Sequence, residues 1–356
     1  MKQYLCMMKV EVVIIGQGIA GSTLALQLLN RGIEFVILDE GSTTGASAVS
    51  SGLINPITGR KFVKSWMIDE LLPSSIEVYR QFEQLLKHKY INSRPIVRSI
   101  DTVEQENQWH VRQADLGYQE YINGDYTGPD YHPMLNDAKS FGQVHQSFNI
   151  LVDRLIQDFR AFLRQSDLIR EEVVDYNNIV IGSDQILIGK ISCKHLICAE
   201  GWGVKHNPFF RDLPFRPAKG EALIVKLDNS FPQTHILKYH KFFVPQEEEG
   251  LFWVGSNYFW DFDDEQPTEN GRSEFINYLN NYLKGNYEIV NHLAGVRPAT
   301  KYRKPLIGQH GQYQNLWIFN GLGTKGISLA PYWSQRLIDH IMDNKALGSE
   351  LPNLYS

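Results

Sequence analysis

Short apolar runs that end in glycine turns set the hydrophobic pattern of this chain. Val10 to Ile15 is the first, and its β-branched residues read as a buried parallel strand. Gly16-Gln17-Gly18-Ile19-Ala20-Gly21 follows at once, and Ser22 to Leu29 then reads as a helix. After Arg31-Gly32 a second run, Ile33 to Leu38, is closed by Asp39 and Glu40. The unit recurs downstream. Lys194 to Ala199 ends in Glu200-Gly201. Leu316 to Phe319 runs into Gly321-Leu322-Gly323-Thr324-Lys325-Gly326 and then a helix over Ile327 to Met342. Pro331 is tolerable there because it falls in the first turn.

Between these units the periodicity changes. Ile68, Leu71, Leu72, Ile76, Val78, Tyr79, Phe82, Leu85 and Leu86 have helical spacing, and Pro73 should split that stretch into two helices. Ile91 to Val103 suggests a strand with turns, and the tyrosine-rich Gly117 to Pro133 suggests loop. Val152 to Leu163 reads as an amphipathic helix, and Ile179 to Ile181 with Gln185 to Ile191 as strands of a hairpin. Beyond Arg216-Pro217 the texture turns to β, with strands over Glu221 to Leu227, Lys241 to Val244 and Leu251 to Val254. Turns fall at Asp228-Asn229 and Glu247 to Gly250, and Ser273 to Leu283 reads as a helix.

Composition narrows the class. A chain of 356 residues has room for two domains, and 43% hydrophobic with 21% charged residues is ordinary for a soluble globular protein. The net charge of −5 offers no basic stripe, which argues against a nucleic-acid partner. Aromatic residues at 12% suit either a large pocket or an aromatic core. The three cysteines, Cys6, Cys193 and Cys198, form no C-x-x-C and read as reduced thiols of a cytoplasmic protein. No metal-ligand spacing occurs. Met1 to Met8 leads straight into the first strand without a cleavage-site pattern, and no stretch is apolar enough to span a membrane.

The glycine turns carry the chemistry. Gly16 lets the chain leave the strand, Gly18 lets a pyrophosphate approach the backbone, and Gly21 lets helix and strand pack closely. The helix N-terminus offers free amides to phosphate. Asp39, 18 residues after Gly21, is placed to accept bonds from a ribose, as a dinucleotide fingerprint requires. The small residues of Gly41 to Ser51, with Gly52-Leu53-Ile54-Asn55-Pro56 after them, allow close approach to a ligand. Ala199-Glu200-Gly201 is a second such place, and Val173-Val174 is grouped with it. The Gly321 to Gly326 turn aims another helix N-terminus at the electron-rich ring of a cofactor.

Together these segments resemble the FAD-dependent amine and amino-acid oxidoreductases of the D-amino-acid oxidase, glycine oxidase and sarcosine oxidase group. The resemblance rests on Gly16-Gly18-Gly21 with Asp39, Ala46-Ser47 through Gly52-Leu53, Leu196 to Gly201, Gly295-Val296-Arg297-Pro298, Pro305 to Gly308, and Gly321 to Pro331. The last block is also similar to the flavin domain of a bifunctional tRNA-modifying enzyme. The resemblance implies an α/β fold with an α+β second domain. A Rossmann-like FAD domain would be assembled from 1–80, 140–215 and 291–356, and an antiparallel-sheet substrate domain from 81–139 and 216–290.

It further implies oxidation of a carbon–nitrogen bond by hydride transfer to flavin. The imine is then hydrolysed, and oxygen or another acceptor takes the electrons. Arg297 would bind a substrate carboxylate, Lys325 would lie near the flavin ring, and Tyr258 would line the pocket. Glycine oxidase carries an arginine near Thr324 or Lys325, and this chain does not. No histidine or cysteine stands at the family's covalent attachment sites, so FAD is expected to be noncovalent. Two other readings stay open: a tRNA-modifying flavoenzyme acting on a carboxymethylaminomethyl uridine, and an NAD-linked dehydrogenase or non-catalytic nucleotide-binding protein.

Overall fold

A computed structural model of the chain describes residues 7–41, 45–228 and 230–355. The Cys6 thiol, Ser42 to Thr44 of the small-residue segment and Asn229 of the expected turn lie outside the described residues.

Two large sheets organise the chain. The first has eight strands. Met8–Ile15 lies at its centre, parallel to Phe35–Leu38 on one side and to Ile191–Cys198 on the other. Ile169–Arg170 extends it beyond Phe35–Leu38, and Leu316–Asn320 pairs in parallel with the end of Ile191–Cys198. Val12, Val13, Ile14 and Ile15 are all buried, which explains the unbroken apolar run: both faces of this sheet are covered. Val12 and Ile14 pack toward Leu24 and Leu28, while Val13 and Ile15 join Leu196, Cys198 and Phe210 on the other face. The helices Ile19–Asn30, Ile68–Leu86 and Gly326–Asp343 stack together on the first face.

The second sheet has seven strands, in the order Tyr287–Arg297, Ala218–Leu227, Leu251–Gly255, Lys241–Pro245, Ile236–Tyr239, Ile96–Ile100 and Ser140–Val144. Every pairing is antiparallel except that of Ile236–Tyr239 with Ile96–Ile100. The helix Glu269–Tyr282 packs on Ala218–Leu227, and the Thr268 hydroxyl caps it by accepting from Gly271 N at 3.0 Å.

The structure corrects several expectations. Pro73 does not split its helix, which runs unbroken from Ile68 to Leu86. Pro73 and Asp69, whose carbonyl loses its amide partner, are both on the exposed side, so water can replace the missing bond. The buried side continues across it, with Leu71 and Leu72 buried before it and, beyond it, Ser75 Oγ donating to Ser328 O at 3.1 Å and Tyr79 OH to Ile327 O at 2.7 Å. The strand expected over Gln185 to Ile191 is two, Ile186–Ile188 and Ile191–Cys198, turned at Gly189 with φ +56°. The pattern also missed Val103–Ala114, a helix that buries only Trp109, and Tyr287–Arg297, a strand bulged at Val290 opposite Ile224/Val225. Because Ser140–Val144 and Tyr287–Arg297 belong to the second sheet, the boundaries expected at 140 and 291 cut across it.

Candidate active site

Three parallel strands end on one edge of the first sheet, with Ile15 opposite Cys198 and Cys198 opposite Ile318. Their following turns, at Gly16, at Ala199 to Gly201 and at Gly321, are thereby gathered. Gly16 has φ +99°, and a Cβ there would stand 2.6 Å from Ala199 O. A Cβ on Gly21 would stand 1.8 Å from Gly16 O, so only glycine lets the helix lie this close to the strand end. Asn320 Nδ2 donates to Gly201 O at 2.8 Å and ties the second turn to the third.

The first helix begins at Ile19 with Gly18 as its N-cap and no capping side chain from that residue. Ser47 supplies one acceptor instead, Ile19 N donating to its Oγ at 3.1 Å. Ala20 is buried in the first turn. Asp39 lies beside this terminus and accepts from Gln17 N at 2.7 Å and Gly41 N at 2.9 Å. Arg160, from the helix Val152–Gln165, pairs with the Asp39 carboxylate, and its Nε donates to Gln17 Oε1 at 2.8 Å. Sequence reasoning missed Arg160: a charged residue on an amphipathic helix carries no local mark of its partner. Glu40 and Val173 are exposed, Val173 at 76%, while Val174 packs against the core beneath the sheet.

Glu200 has the neutral amide of Asn207 as its side-chain partner, with Nδ2 to the two carboxylate oxygens at 3.0 and 3.2 Å. Burial pushes its carboxyl up to about 7.

The third turn meets the first. A Cβ on Gly326 would lie 3.6 Å from Ile19 Cγ2, so the two helix N-termini are adjacent. Gly321 and Gly323 have φ +74° and +55°. Leu322 is buried, Thr324 exposed, and Lys325 half-buried with its ammonium pushed toward the neutral form by burial.

The second sheet is seated on this crevice through the small-residue segment. A Cβ on Gly295 would approach Val49 to 2.5 Å and Ala46 Cα to 3.2 Å, and Trp253 Nε1 donates to Val49 O at 3.1 Å. Gly52, with φ +68°, lies against Ile150 O, and Leu53 pairs with Asn149.

On the same sheet face as Gly295 stands Arg297. Its Nη2 donates to Ser256 Oγ at 2.7 Å, and its guanidinium lies 4.5 Å from the centre of the Tyr258 ring. Its Nη1 is buried without a hydrogen-bond partner. Burial lowers its pKa, the sign of a cation held away from water. A Cβ on Gly220 would stand 1.9 Å from Nη2, so the missing side chain at 220 makes room for the guanidinium. Ser256 and Gly220 carried no recognisable signal in the sequence.

Comparison with known proteins agrees with this architecture. The family described as "FAD dependent oxidoreductase", DAO, matches residues 11–339. The glycine oxidase of Bacillus subtilis (strain 168) is 21% identical over 94% of this chain and 94% of its own length. The tRNA 5-methylaminomethyl-2-thiouridine biosynthesis bifunctional protein of Idiomarina loihiensis is 22% identical over 90% of this chain, which spans 54% of that protein. Among solved structures, glycine oxidase from Bacillus cereus superposes with a TM-score of 0.74 at 20% identity, covering 95% of this chain and 96% of its own. The chain belongs to the DAO family of FAD-dependent oxidoreductases. It is an FAD enzyme, which sets aside the NAD-linked and non-catalytic readings.

The residues present fit that cofactor. The Gly16–Gly21 cradle admits no side chain at two of its three glycines without collision, and the helix it starts leaves amides for phosphate. Among the described residues no helix is long and apolar enough to cross a membrane.

Proposed function

We propose that this enzyme oxidises the carbon–nitrogen bond of an amino acid or secondary amine. Bound FAD supplies the acceptor for the hydride from the carbon beside nitrogen, and the imine left behind is hydrolysed by water. The chain's own residues bind and orient. Gly16, Gly18, Ile19, Ala20 and Gly21 would hold the pyrophosphate, Asp39 the ribose, and Ala46, Ser47, Gly52 and Leu53 the middle of the cofactor. Gly321 to Gly326 would face its ring, where Lys325 and the helix N-terminus provide positive potential for the electrons received. Oxygen or another oxidant would be the final electron acceptor.

The observation that carries the reading is the buried, partnerless Nη1 of Arg297. A buried donor without an acceptor costs about 1–3 kcal/mol. A substrate carboxylate gripped by the guanidinium fork would remove that cost and fix the carbon beside it. Tyr258 backs the guanidinium and, at 52% exposure, stands at the mouth. The free and buried thiols of Cys193 and Cys198 suit a cytoplasmic enzyme.

Anaerobic bleaching of the flavin by a panel of amino acids and N-methyl or N-carboxymethyl amines tests the reading. Bleaching by at least one carboxylate-bearing amine is expected. Bleaching by none of them, with a 2-hydroxy acid or polyol active instead, overturns it. A second reading, action on a carboxymethylaminomethyl uridine, draws support from the match to the Idiomarina protein. Salt-sensitive binding of tRNA to the purified protein would favour it.

A further inference from the structure

Arg297 has a neighbour of its own kind. The ladder between Tyr287–Arg297 and Ala218–Leu227 sets Ala218 opposite Arg297 and continues past both strand ends. Arg216 N donates to Ala299 O at 2.7 Å, and Phe215 bridges Thr300. Arg216 and Arg297 are therefore diagonal neighbours on adjacent segments, their backbones roughly 7 Å apart.

The other edge of Ala218–Leu227 presents a matching pair. Phe259 and Lys219 exchange both backbone hydrogen bonds, at 2.8 and 2.9 Å. Tyr258 and Trp260 flank Phe259, so both turn to the face opposite its side chain. Each receives one arginine: Arg297 lies 4.5 Å from the centre of the Tyr258 ring, and Arg216 lies 4.7 Å from a ring centre of Trp260. The positions between, Gly220 and Ala218, carry the smallest side chains, and the space at Gly220 is filled by the guanidinium itself.

Neither guanidinium has a carboxylate partner among the described residues, Arg297 bonding Ser256 and each stacking on a ring. Of the four acids in the loop after Trp260, Asp264 pairs with Lys219 at 3.4 Å and Glu265 with Lys205 at 2.8 Å, and neither Asp261 nor Asp263 forms an ion pair with Arg216 or Arg297. Two uncompensated cations side by side repel each other, and a ligand with two negative groups relieves both. Arg297 is at the inner position and Arg216, exposed, at the outer one.

We propose that Arg216, backed by Trp260, is a second anion subsite of the substrate pocket, and that the preferred substrate is an amine bearing two acidic groups. One carboxylate sits on Arg297 beside the reacting carbon. The second, at the far end of the nitrogen substituent or side chain, sits on Arg216. This rests on the amine-oxidase reading of the site.

The test uses the FAD-loaded enzyme and two ligands that carry no amine, propionate and glutarate, titrated by their perturbation of the flavin absorption spectrum. Wild type is expected to bind glutarate at least tenfold more tightly than propionate. Arg216→Gln, a change at an exposed position, should bring glutarate to the level of propionate and leave propionate unchanged. Equal affinities in wild type, or an undiminished glutarate preference in Arg216→Gln, overturns the subsite. Arg297→Gln separates the two readings. If it weakens both ligands while Arg216→Gln changes neither, only the subsite falls. If Arg297→Gln weakens neither ligand, the carboxylate-binding reading of the pocket falls by itself.

Discussion

Arg297 is pinned on two sides and keeps one donor unpaired: Ser256 Oγ accepts from its Nη2 at 2.7 Å, the Tyr258 ring lies against the guanidinium, and Nη1 is buried without a hydrogen-bond partner. Such a guanidinium cannot swing away from an incoming anion, so little ordering entropy is lost on binding. Replacing it by Gln should raise KM for a carboxylate substrate roughly 10- to 100-fold, the worth of about 1.5–3 kcal/mol for a charge-assisted bond. Arg297→Lys should recover little of that, because an ammonium cannot reproduce the fork. Steady-state kinetics at constant flavin absorbance check this, and an unchanged KM removes Arg297 from the pocket.

Gly220 gives an independent handle on the same group. A Cβ at 220 would sit 1.9 Å from Arg297 Nη2. Gly220→Ala should displace the guanidinium, raising KM while the flavin stays bound. Kinetics indistinguishable from wild type would show that the guanidinium does not need the space above Gly220.

The two ends of the fingerprint should fail differently. A Cβ at Gly18 would be 3.2 Å from the Ser47 hydroxyl, a contact that a small shift accommodates, whereas at Gly21 it would be 1.8 Å from a backbone carbonyl. Gly18→Val should therefore give a folded but colourless protein. Gly21→Val should lower yield and Tm as well. A yellow Gly18→Val protein with wild-type flavin content would remove the phosphate assignment.

Arg160 orients Asp39 without any sequence signature. Through Gln17 and Asp39 it touches both the glycine turn and the carboxylate proposed to hold the ribose. Arg160→Ala should weaken FAD binding about tenfold, measured by flavin fluorescence on dilution, with turnover of the loaded fraction unchanged. Equal dissociation constants would make the pair purely structural.

Glu200 should make stability depend on pH. Its folded-state pKa is raised to about 7 by burial, so folding favours the protonated form. Its contribution is fully present below the ordinary glutamate range, near 4.5, and is lost as pH rises through about 7. Tm should fall between pH 5 and pH 8, and Glu200→Gln should flatten that slope. A slope of the same size in the variant would assign the effect to other groups.

Much of the crevice proposed for the cofactor was written locally. A buried strand, a tight turn and a helix N-terminus occupy consecutive residues, so Gly16 to Gly21 and Gly321 to Gly326 announced themselves, and their strands pair within one sheet. Helix ends and strand limits were less legible. Pro73 was read as a break because sequence shows the lost hydrogen bond but not the helix Gly326–Asp343, which holds the turns just beyond it. Tyr287–Arg297 went unseen because a bulge at Val290 breaks its own alternation, and its registry is set by a partner strand far earlier in the chain.

The sequence by itself marked the glycine fingerprint, through residue types at fixed short spacings, and its resemblance to the family singled out Arg297. Only the tertiary structure decided what surrounds them. Arg160 came to Asp39 from a distant helix, Gly220 cleared a space beneath a guanidinium, and Arg216 took its place beside Arg297 across a strand ladder. These are contacts between segments far apart in the chain, and a pairing register fixed by packing across a whole sheet leaves no imprint on either segment alone.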